Sequence, residues 1–577
     1  GVPALFYQKS IKGHSSVLVD PAYLSKKDHI RLLSYDVSGD SRYLAYQFSR
    51  NGSDWCEVKV VGFKSGNHLD DHLTGLKFSD LAWRGDGFYY STFAPSEGLG
   101  PVSGQKVFYH QLGTDQSEDL LVFTRKNPQL FFDFLTTEDE RFFILTETNE
   151  ATGSSNTFFI DFASPFHQLR PLYMKVPSEK KISIIGNRGD QLIGVTDGRV
   201  VSIDYNQPAK LIALTAFISD AVLVRAIPMD DRVLMIYRRD QRPILAVSDY
   251  KENMLFTLEF PVASSINGFH GYSTDDELLF YLSSYTLPPV VYKFNINTFE
   301  RELQQRTEVA FDHSDIHYTE VGYPSGDGTV VPMILVHQGE LKRDGHPVIL
   351  ETYGGFGVIE NPSFDAGIVH FIQSGGIYAF ASIRGGGDKG KSWANAGKGL
   401  NKQTSFDDFI AAAEFLIEEG YTTPGQLAIT GASNGGLVVA AAAVQRPDLF
   451  KVVVPEVAPL DMLRFERFTV GHFHIDEYGS VSTREGFENL LGYSPYHNIR
   501  DEVNYPAMMV LTSENDDRVP PLHSYKFVAR LQNRAAQTNP VILKVRQGTG
   551  HSSSGTMASN VRERAEKYGF MMSFVMD

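Results

Sequence analysis

The sequence predicts two domains of different fold class: an all-β seven-bladed propeller over residues 1–305, and an α/β domain with a doubly wound, mostly parallel sheet over residues 306–577. Two observations support this division. A turn-and-strand unit recurs through the first half, and strands then alternate with helical stretches from about Arg306 onwards. A chain of 577 residues, 42% of them apolar, can build two or three domains with substantial cores.

The recurring unit of the first half is a turn with an acidic residue, followed by an aromatic or aliphatic strand. Six copies are visible, at spacings of 41 to 53 residues, and begin at Asp40, Asp86, Asp139, Asp190, Asp231 and Asp276. A period in the forties is typical of a four-stranded propeller blade. Because a ring must close, we expect a seventh blade that combines residues near Leu303 with a strand preceding Gly1. A pair of β-sandwiches is the alternative.

The second half predicts strands whose carboxyl ends run into glycine-rich loops. Its best-marked helix spans Ser405 to Gly420, with Ser405 as the expected N-cap and Asp407 and Asp408 near the positive end of the helix dipole. A closing helix is expected from about Ala558 to about Met576. The predicted strands are Pro347–Thr352, Gly376–Ile383, Leu427–Thr430, Lys451–Val454, Ala507–Thr512 and Val541–Val545.

The most informative motif is Gly431-Ala-Ser-Asn-Gly435, which lies between a short apolar strand and a helical stretch. In this context the motif predicts a nucleophile elbow, and therefore an α/β-hydrolase domain. A sharp strand-to-helix turn lifts the serine above the sheet, and glycines remove side chains that would clash. Ser433 is the expected nucleophile, and the Asn434 backbone N–H is directed to where an oxyanion would form. A purely structural glycine turn is the alternative.

A serine nucleophile needs a base and a group that orients the base, and α/β-hydrolases supply them in the order Ser, Asp, His. Asp516 and His551 each follow a predicted strand, where sites form in such sheets. Spacing alone does not separate Asp516 from Asp517. His523 and His497 lie in helical or pre-helical stretches, and we expect structural roles for both.

Composition narrows the possible partners. The net charge of −16 argues against nucleic acid and anionic membranes, and no apolar run is long enough to span a bilayer. Cys56 is the only cysteine, so a cytoplasmic protein is expected, with the periplasm as the alternative. The chain begins with Gly1, so residues are expected to be missing from its start. We expect neither a cofactor nor a metal, and a monomer.

Several stretches together resemble the prolyl oligopeptidase family, whose hydrolase half is matched from about Thr307 to the end of the chain. Gly52-Ser-Asp-Trp55 is also similar to the seven-bladed propeller of that family. The hydrolase stretches are Tyr353-Gly-Gly-Phe356, Arg384-Gly-Gly-Gly387, Lys402-Gln403 before Phe406–Phe409, Gly431–Leu437, Gln445–Phe450, Asp516–Val519 and Pro521–Ser524.

The resemblance implies cleavage of short peptides after proline through an acyl-enzyme. It favours Asp516 over Asp517 as the residue that orients His551, and implies that the Tyr353 hydroxyl joins Asn434 in the oxyanion hole. It further implies that Arg518 holds a carbonyl of the peptide. The side chains expected to wall the proline pocket are those of Phe356, Val519 and Tyr478.

One residue departs from the family pattern. Where the family has a tryptophan that stacks on the substrate proline, Gly471-His-Phe-His474 places a histidine, which has a smaller ring that can be protonated. Glu456 is a candidate partner for His474. Strict proline preference is therefore open, and the alternatives are oligopeptidase B-like or acylaminoacyl-peptidase-like specificity, or a peptide macrocyclase. The non-enzyme alternative is a propeller-based binding protein.

Overall fold

The computed structural model describes residues 3–10, 13–94, 98–311, 315–552 and 556–576. Within these ranges the first half consists mainly of strands, with a few short 3-10 turns, and the second half has a sheet covered by helices. None of the helices in the described ranges combines the length and apolar character needed to cross a membrane.

The first half begins with a two-stranded sheet, β1 (Leu5–Gln8) and β2 (Ser15–Val19), followed by six four-stranded antiparallel sheets. Each of these six sheets is one blade, made of four strands consecutive in the chain. The first three blades are β3 (Ile30–Val37), β4 (Tyr43–Arg50), β5 (Trp55–Gly62) and β6 (His68–Lys77); β7 (Ala82–Trp83), β8 (Gly87–Ala94), β9 (Ser103–Gln111) and β10 (Leu120–Thr124); and β11 (Leu130–Thr136), β12 (Phe142–Asn149), β13 (Ser155–Asp161) and β14 (Arg170–Val176).

The last three blades repeat the same meander. Their strands are β15 (Ser183–Arg188), β16 (Gln191–Thr196), β17 (Arg199–Ile203) and β18 (Leu211–Ala213); β19 (Val222–Pro228), β20 (Arg232–Arg239), β21 (Arg242–Asp249) and β22 (Met254–Glu259); and β23 (Ser265–His270), β24 (Glu277–Ser283), β25 (Val290–Asn295) and β26 (Arg301–Arg306).

The prediction of seven blades is wrong for the described residues, which form six. Leu303 lies in β26, the outer strand of the sixth blade, so it cannot help to build another. The short sheet β1–β2 instead packs Leu5 and Leu18 against the apolar cluster of the first blade. The six repeats in the sequence therefore correspond to the six blades of the described residues. The seventh blade was predicted only because a closed ring was assumed.

The acidic residue of each repeat lies in the turn between the first and second strands of its blade. Two of these residues form an ion pair with an arginine of the preceding blade. Arg42 of the first blade lies 2.6 Å from Asp86 of the second, and Arg141 of the third blade pairs with Asp190 of the fourth. The repeated aspartate of these two blades therefore has a structural role, because it pairs with an arginine of the preceding blade and so connects the two blades.

The second half is built on an eight-stranded sheet in the order β27-β28-β30-β29-β31-β32-β33-β34. The strands from β29 to β34 are parallel, and β28 runs antiparallel to β30. Their bounds are β27 (Ile316–Pro324), β28 (Val330–Gln338), β29 (Val348–Glu351), β30 (Ile377–Ala381), β31 (Leu427–Ala432), β32 (Val452–Glu456), β33 (Ala507–Ser513) and β34 (Val541–Arg546).

Helices cover both faces of this sheet, as expected for a doubly wound domain. One apolar cluster joins the sheet to α3, α4, α6 and α7, and a second joins it to α1 and α8. The helices are α1 (Ala366–Gln373), α2 (Lys391–Asn395), α3 (Gln403–Glu418), α4 (Asn434–Gln445), α5 (Ile475–Tyr478), α6 (Arg484–Tyr493), α7 (Leu522–Gln532) and α8 (Met557–Val575).

The expected cap of the central helix is wrong. α3 begins at Gln403, so Ser405 lies inside the helix, where its hydroxyl donates to the backbone carbonyls of Arg384 and Gly397. Asp408 is fully buried, and the Arg384 guanidinium donates to both of its carboxylate oxygens. These side chains bind the loop after β30, a tertiary role that a local capping pattern does not reveal.

Candidate active site

Ser433 occupies the sharp turn between β31 and α4. Its backbone has φ 56° and ψ −118°, in the left-handed half of conformational space that non-glycine residues rarely adopt. The flanking glycines permit this turn, since a Cβ on Gly435 would lie 2.3 Å from the Thr352 carbonyl oxygen. The Ser433 N–H donates to the Glu456 carbonyl of β32 at 2.8 Å. The turn therefore has the strained geometry of a nucleophile elbow.

The structure brings Ser433, His551 and Asp516 into one hydrogen-bonded line. His551 Nε2 lies 3.1 Å from Ser433 Oγ, and His551 Nδ1 lies 2.9 Å from Asp516 Oδ2. The other carboxylate oxygen of Asp516 accepts the backbone N–H groups of Arg518 and Val519, at 3.0 and 2.8 Å. Because His551 and Asp516 are both buried, the line is shielded from water.

The rival residues serve other purposes. Asp517 accepts the Ser53 hydroxyl and the Asp54 N–H of the propeller, at 2.7 and 3.0 Å. The buried His523 ring accepts the Asp461 N–H through Nδ1, and His497 Nδ1 lies 2.8 Å from Ser494 Oγ. Geometry thus separates Asp516 from its neighbour, where spacing in the sequence could not.

Two donors face the space beside the serine. Asn434 is the first residue of α4, and its backbone N–H donates to none of the residues that the structure describes. Burial raises the pKa of the Tyr353 hydroxyl well above its ordinary value, and an interaction with the Ser433 hydroxyl opposes this rise only weakly. Tyr353 is therefore a neutral O–H donor throughout the physiological range, next to Ser433.

Three aromatic rings lie together beside this centre. The His474 ring lies 5.2 Å from the Phe356 ring and 6.3 Å from the Tyr478 ring, both in edge-to-face geometry. The Tyr478 hydroxyl donates to the side-chain oxygen of Asn434 at 3.1 Å, which connects this cluster to the nucleophile elbow. The side chain of Val519 is buried.

His474 is uncharged in this environment. Burial lowers its pKa to about 3, with further contributions from the nearby charges of His551 and Arg518. The imidazole is consequently neutral at physiological pH, although its ring can in principle be protonated. The proposed partner of His474 is wrong, because the Glu456 carboxylate lies 2.6 Å from Lys567 Nζ, in an ion pair of its own.

Arg518 makes a contact that the sequence did not predict. Its guanidinium donates two hydrogen bonds of 2.9 Å to Asp54 of the propeller, and Lys77, a fully buried propeller residue, lies 3.1 Å from Asp517. The sequence did mark one partner of this contact, because Asp54 belongs to the Gly52–Trp55 stretch that resembles the propeller of the family. The sequence could not reveal that Asp54 binds Arg518, because this contact depends on how the two domains dock.

The described ranges contain no group of three or more histidine, cysteine, aspartate or glutamate side chains arranged to hold a metal ion. The reactive parts are a buried imidazole, a hydroxyl in a strained turn and two nearby hydrogen-bond donors.

Comparison with known proteins places this geometry in context. The profile of the prolyl oligopeptidase N-terminal β-propeller domain matches residues 3–307, and that of the prolyl oligopeptidase family matches residues 362–576. A prolyl endopeptidase of Elizabethkingia miricola is 33% identical over 99% of this chain and 82% of its own length. A dual function macrocyclase-peptidase of Galerina marginata is 30% identical over 98% of this chain and 82% of its own length.

Solved structures of prolyl endopeptidases and oligopeptidases are similar to this chain over nearly its whole length. One from a study of two prolyl endopeptidases and their inter-domain dynamics has a TM-score of 0.93 and 32% identity, covering 99% of this chain and 86% of that one. Prolyl oligopeptidase B of Galerina marginata, bound to a 35mer substrate, has a TM-score of 0.92 and 28% identity, covering 99% and 85%. The chain belongs to the prolyl oligopeptidase family of serine peptidases.

Proposed function

We propose that this protein is an endopeptidase that cleaves short peptides after proline through an acyl-enzyme. Ser433 is the nucleophile, His551 the general base, and Asp516 orients the imidazole. Tyr353 and Asn434 form the oxyanion hole. The observation that carries the proposal is the continuous line from Asp516 through His551 to Ser433 Oγ, at 2.9 and 3.1 Å, on a strained elbow.

In the acylation half, His551 Nε2 takes the hydroxyl proton of Ser433 while Oγ attacks the carbonyl carbon of the proline residue. Asp516 accepts the Nδ1–H and so presents Nε2 as the unprotonated nitrogen. The developing oxyanion accepts the Tyr353 O–H and the Asn434 N–H. When the intermediate collapses, the C–N bond breaks and the imidazolium gives its proton to the leaving amine.

In the deacylation half, a water molecule replaces the departed amine. His551 takes one proton of the water as its oxygen attacks the ester carbonyl, and the same two donors stabilise the second oxyanion. The ester bond to Ser433 then breaks, and the imidazolium returns its proton to Oγ. The products are a free carboxylate on proline and the regenerated enzyme.

The pocket proposal rests on the cluster of Phe356, Tyr478 and His474, with Val519 retained from the family resemblance. Arg518 is proposed to hold a substrate carbonyl with its remaining N–H groups, since only Nε and one terminal nitrogen donate to Asp54. Apolar ring faces suit proline, and the uncharged imidazole adds a smaller face than an indole would. This supports cleavage after proline, with weaker stabilisation than a tryptophan would give.

Propeller residues contact the loops around the site, which supports a limit on substrate size. The Phe93 ring lies 5.9 Å from the Phe473 ring, and the Asp476 N–H donates to the Glu150 carbonyl at 3.0 Å. Blades in contact with the site would admit short flexible peptides and exclude folded proteins.

The proposal is tested with Ser433→Ala, with His497→Ala as a control histidine outside the site. A peptide containing one internal proline should be cleaved after that proline by the wild type and by the control. A fluorophosphonate probe should label both of these and not Ser433→Ala. Activity of Ser433→Ala within tenfold of wild type, or cleavage at residues other than proline, would refute the corresponding part of the proposal.

The contribution of His474 is tested separately. His474→Trp should raise the ratio of kcat/KM for proline over alanine at the residue before the cleaved bond, because indole offers a larger apolar face. An unchanged ratio would remove His474 from the pocket and leave the triad untouched. The low pKa of His474 further predicts that its titration does not shape the pH profile above pH 5.

Macrocyclisation is the second candidate, favoured by the similarity to the Galerina marginata macrocyclase-peptidase. The same acyl-enzyme forms, but the peptide's own amino terminus attacks the ester in place of water. A 25mer macrocyclisation substrate is bound in one structure of the Galerina marginata enzyme. Incubation with a peptide of that length, ending in a proline-containing tail, would yield a cyclic product, lighter by one water than the linear fragment. Only linear fragments would exclude this activity on that substrate.

The remaining proposals come from the sequence. We propose a propeller domain over residues 1–305 and a hydrolase domain over 306–577, which the end of β26 at Arg306 supports. We also propose a cytoplasmic monomer that binds neither nucleic acid nor membranes. Limited proteolysis, light scattering and cell fractionation test these points.

A further inference from the structure

The loop that leaves β29 carries both the oxyanion donor Tyr353 and the pocket residue Phe356. Its backbone is left-handed at three positions, because Gly354, Phe356 and Gly357 have φ values of 61°, 57° and 62°. Glycine adopts such angles freely, but a bulky aromatic residue does so only when its surroundings enforce them. Something outside the loop must therefore hold Phe356 in place.

A buried ion pair supplies this restraint. One oxygen of the Glu477 carboxylate accepts the Phe356 N–H at 2.9 Å, and the other accepts Lys402 Nζ at 2.6 Å. The same ammonium group donates to the Gly354 carbonyl at 3.0 Å. The two side chains thus hold the loop at two backbone groups, in the peptides on either side of Gly355.

The burial of this pair indicates a specific purpose. Lys402 is fully buried and Glu477 is 4% exposed, so both have lost their hydration. Burial raises the pKa of Glu477, and the charge of Lys402 and the Phe356 N–H oppose that rise. Buried ion pairs are often no more stabilising than apolar side chains of similar size. What an apolar pair could not do here is hold an N–H and a C=O of the loop.

The pair also connects the loop to the opposite side of the pocket. Glu477 lies in α5, beside Tyr478, and His474 immediately precedes that helix. The Lys402 ammonium lies 5.6 Å from the centre of the Tyr478 ring. One short segment therefore carries two rings of the pocket and also the acid that holds the third, on Phe356.

We propose that Lys402 and Glu477 are positioning residues that set the oxyanion donor Tyr353 and the pocket ring of Phe356 at the same time. The inference rests on the proposed function, since it assigns both consequences to a cleavage reaction at Ser433. It predicts that loss of the pair lowers both the rate of the chemical step and the preference for proline.

The test uses the double variant Lys402→Met/Glu477→Leu, which removes both charges together and leaves no unpaired buried ion. Lys398→Met is the matched control, because Lys398 forms a neighbouring but half-exposed ion pair with Asp476. Circular dichroism and thermal unfolding establish folding, and kcat and KM are measured with proline and alanine before the cleaved bond.

We expect kcat of the folded double variant to fall by about 10²-fold, the usual effect of a misplaced catalytic group, and its proline-to-alanine ratio to fall as well. Lys398→Met should retain wild-type values. Adding Tyr353→Phe to the double variant should cost much less than in the wild type, because the hydroxyl is already displaced. A merely structural role would leave the cost of Tyr353→Phe unchanged.

A folded double variant with kcat and selectivity within threefold of wild type would overturn the proposal, as would full additivity with Tyr353→Phe. If the double variant does not fold, Glu477→Gln provides the same measurements, since it keeps an acceptor for the Phe356 N–H while weakening the bond to Lys402. Failure of the proposed function is distinct, because it would be seen as retained activity in Ser433→Ala.

Discussion

Two loops complete the active site, and they are held in opposite ways. The loop from Tyr353 to Phe356 is fastened within the hydrolase domain, by Lys402, Glu477 and the side chain of Asn434, whose amide donates to the Tyr353 carbonyl at 2.5 Å. The loop from Asp516 to Val519 is fastened largely by the propeller, in which Ser53, Asp54 and Lys77 bind Asp517 and Arg518.

The difference indicates that the two loops depend on domain contact to different degrees. The side chains that hold the proposed oxyanion donor and pocket wall all belong to the hydrolase domain, and the propeller contacts them only indirectly, through the Asp476 N–H of α5 and the Glu150 carbonyl. Asp516, which we propose orients His551, instead lies on a loop whose neighbouring side chains bind the other domain. We therefore expect changes at the first loop to act on the chemical step in every state, and changes at the second to depend on domain contact.

The largest expected effect separates Asp516 from its neighbour within the second loop. Asp516→Asn should lower kcat by about 10³–10⁴, because the amide favours the wrong tautomer of His551. Asp517→Asn, which weakens only the contact with the propeller, should cost less than about tenfold. Steady-state kinetics of both variants measure the comparison. Equal losses would mean that domain contact, and not orientation of His551, dominates.

The first loop is tested next, by removing one hydroxyl. Tyr353→Phe should lower kcat by about 10²–10³, the usual cost of one oxyanion donor, with little change in KM. Because this loop is held within its own domain, the loss should be the same for short and long peptides. A change confined to KM would show that Tyr353 binds substrate and does not stabilise the oxyanion.

A smaller effect is expected from the bond between the domains. Asp54→Asn should change kcat/KM on short peptides by less than about tenfold, because the pair is half-exposed and part of its energy is lost to solvent. Cleavage of longer polypeptides should increase as the domains part more easily, and the salt dependence of activity should weaken. An unchanged size limit and salt dependence would contradict this role.

The smallest expected effect concerns the stability of the blade that makes this contact. His110 lies between Asp119 and Asp71, at 2.8 and 2.9 Å, and so joins the first blade to the second. Burial alone would lower the pKa of His110, but the hydrogen bonds and charges of the two carboxylates outweigh it and raise the pKa to about 9.

Because this pKa lies above the unfolded value near 6.5, the stabilisation is complete below pH 6.5 and is lost as pH rises through about 9. The expected loss is on the order of 1–2 kcal/mol after allowance for screening. Urea unfolding between pH 6 and pH 10 measures it. His110→Gln should be less stable at pH 6.5 and should lack this part of the pH dependence, and an unchanged slope would contradict the assignment.

The sequence predicted those parts of the site that follow from strand order. Ser433, Asp516 and His551 each lie in the loop or turn that follows a parallel strand, so their positions at the carboxyl ends of strands could be predicted. Spacing left Asp516 and Asp517 equivalent, because adjacent residues differ only in the direction of their side chains. Only the resemblance to a family favoured the first of the two.

Features that depend on packing between distant segments were missed or misread. Ser405 and Asp408 have the pattern of a helix cap, but Arg384 draws Asp408 into the core, and the helix starts earlier. The low pKa of His474 arises from burial, which no local pattern reveals. The bond between Asp54 and Arg518 required knowledge of how the two domains dock.

The close approach of Gly52 and Gly550 constrains both the evolution and the engineering of the two domains. A Cβ atom on Gly550 would lie 1.8 Å from the Gly52 carbonyl oxygen, and one on Gly52 would lie 2.1 Å from the Gly550 nitrogen. Neither position can acquire a side chain unless the opposite backbone moves, and His551 is the next residue. The two domains therefore cannot diverge independently at this point. A chimera that joins this hydrolase domain to a relative's propeller should work best when both glycine loops are exchanged as a unit.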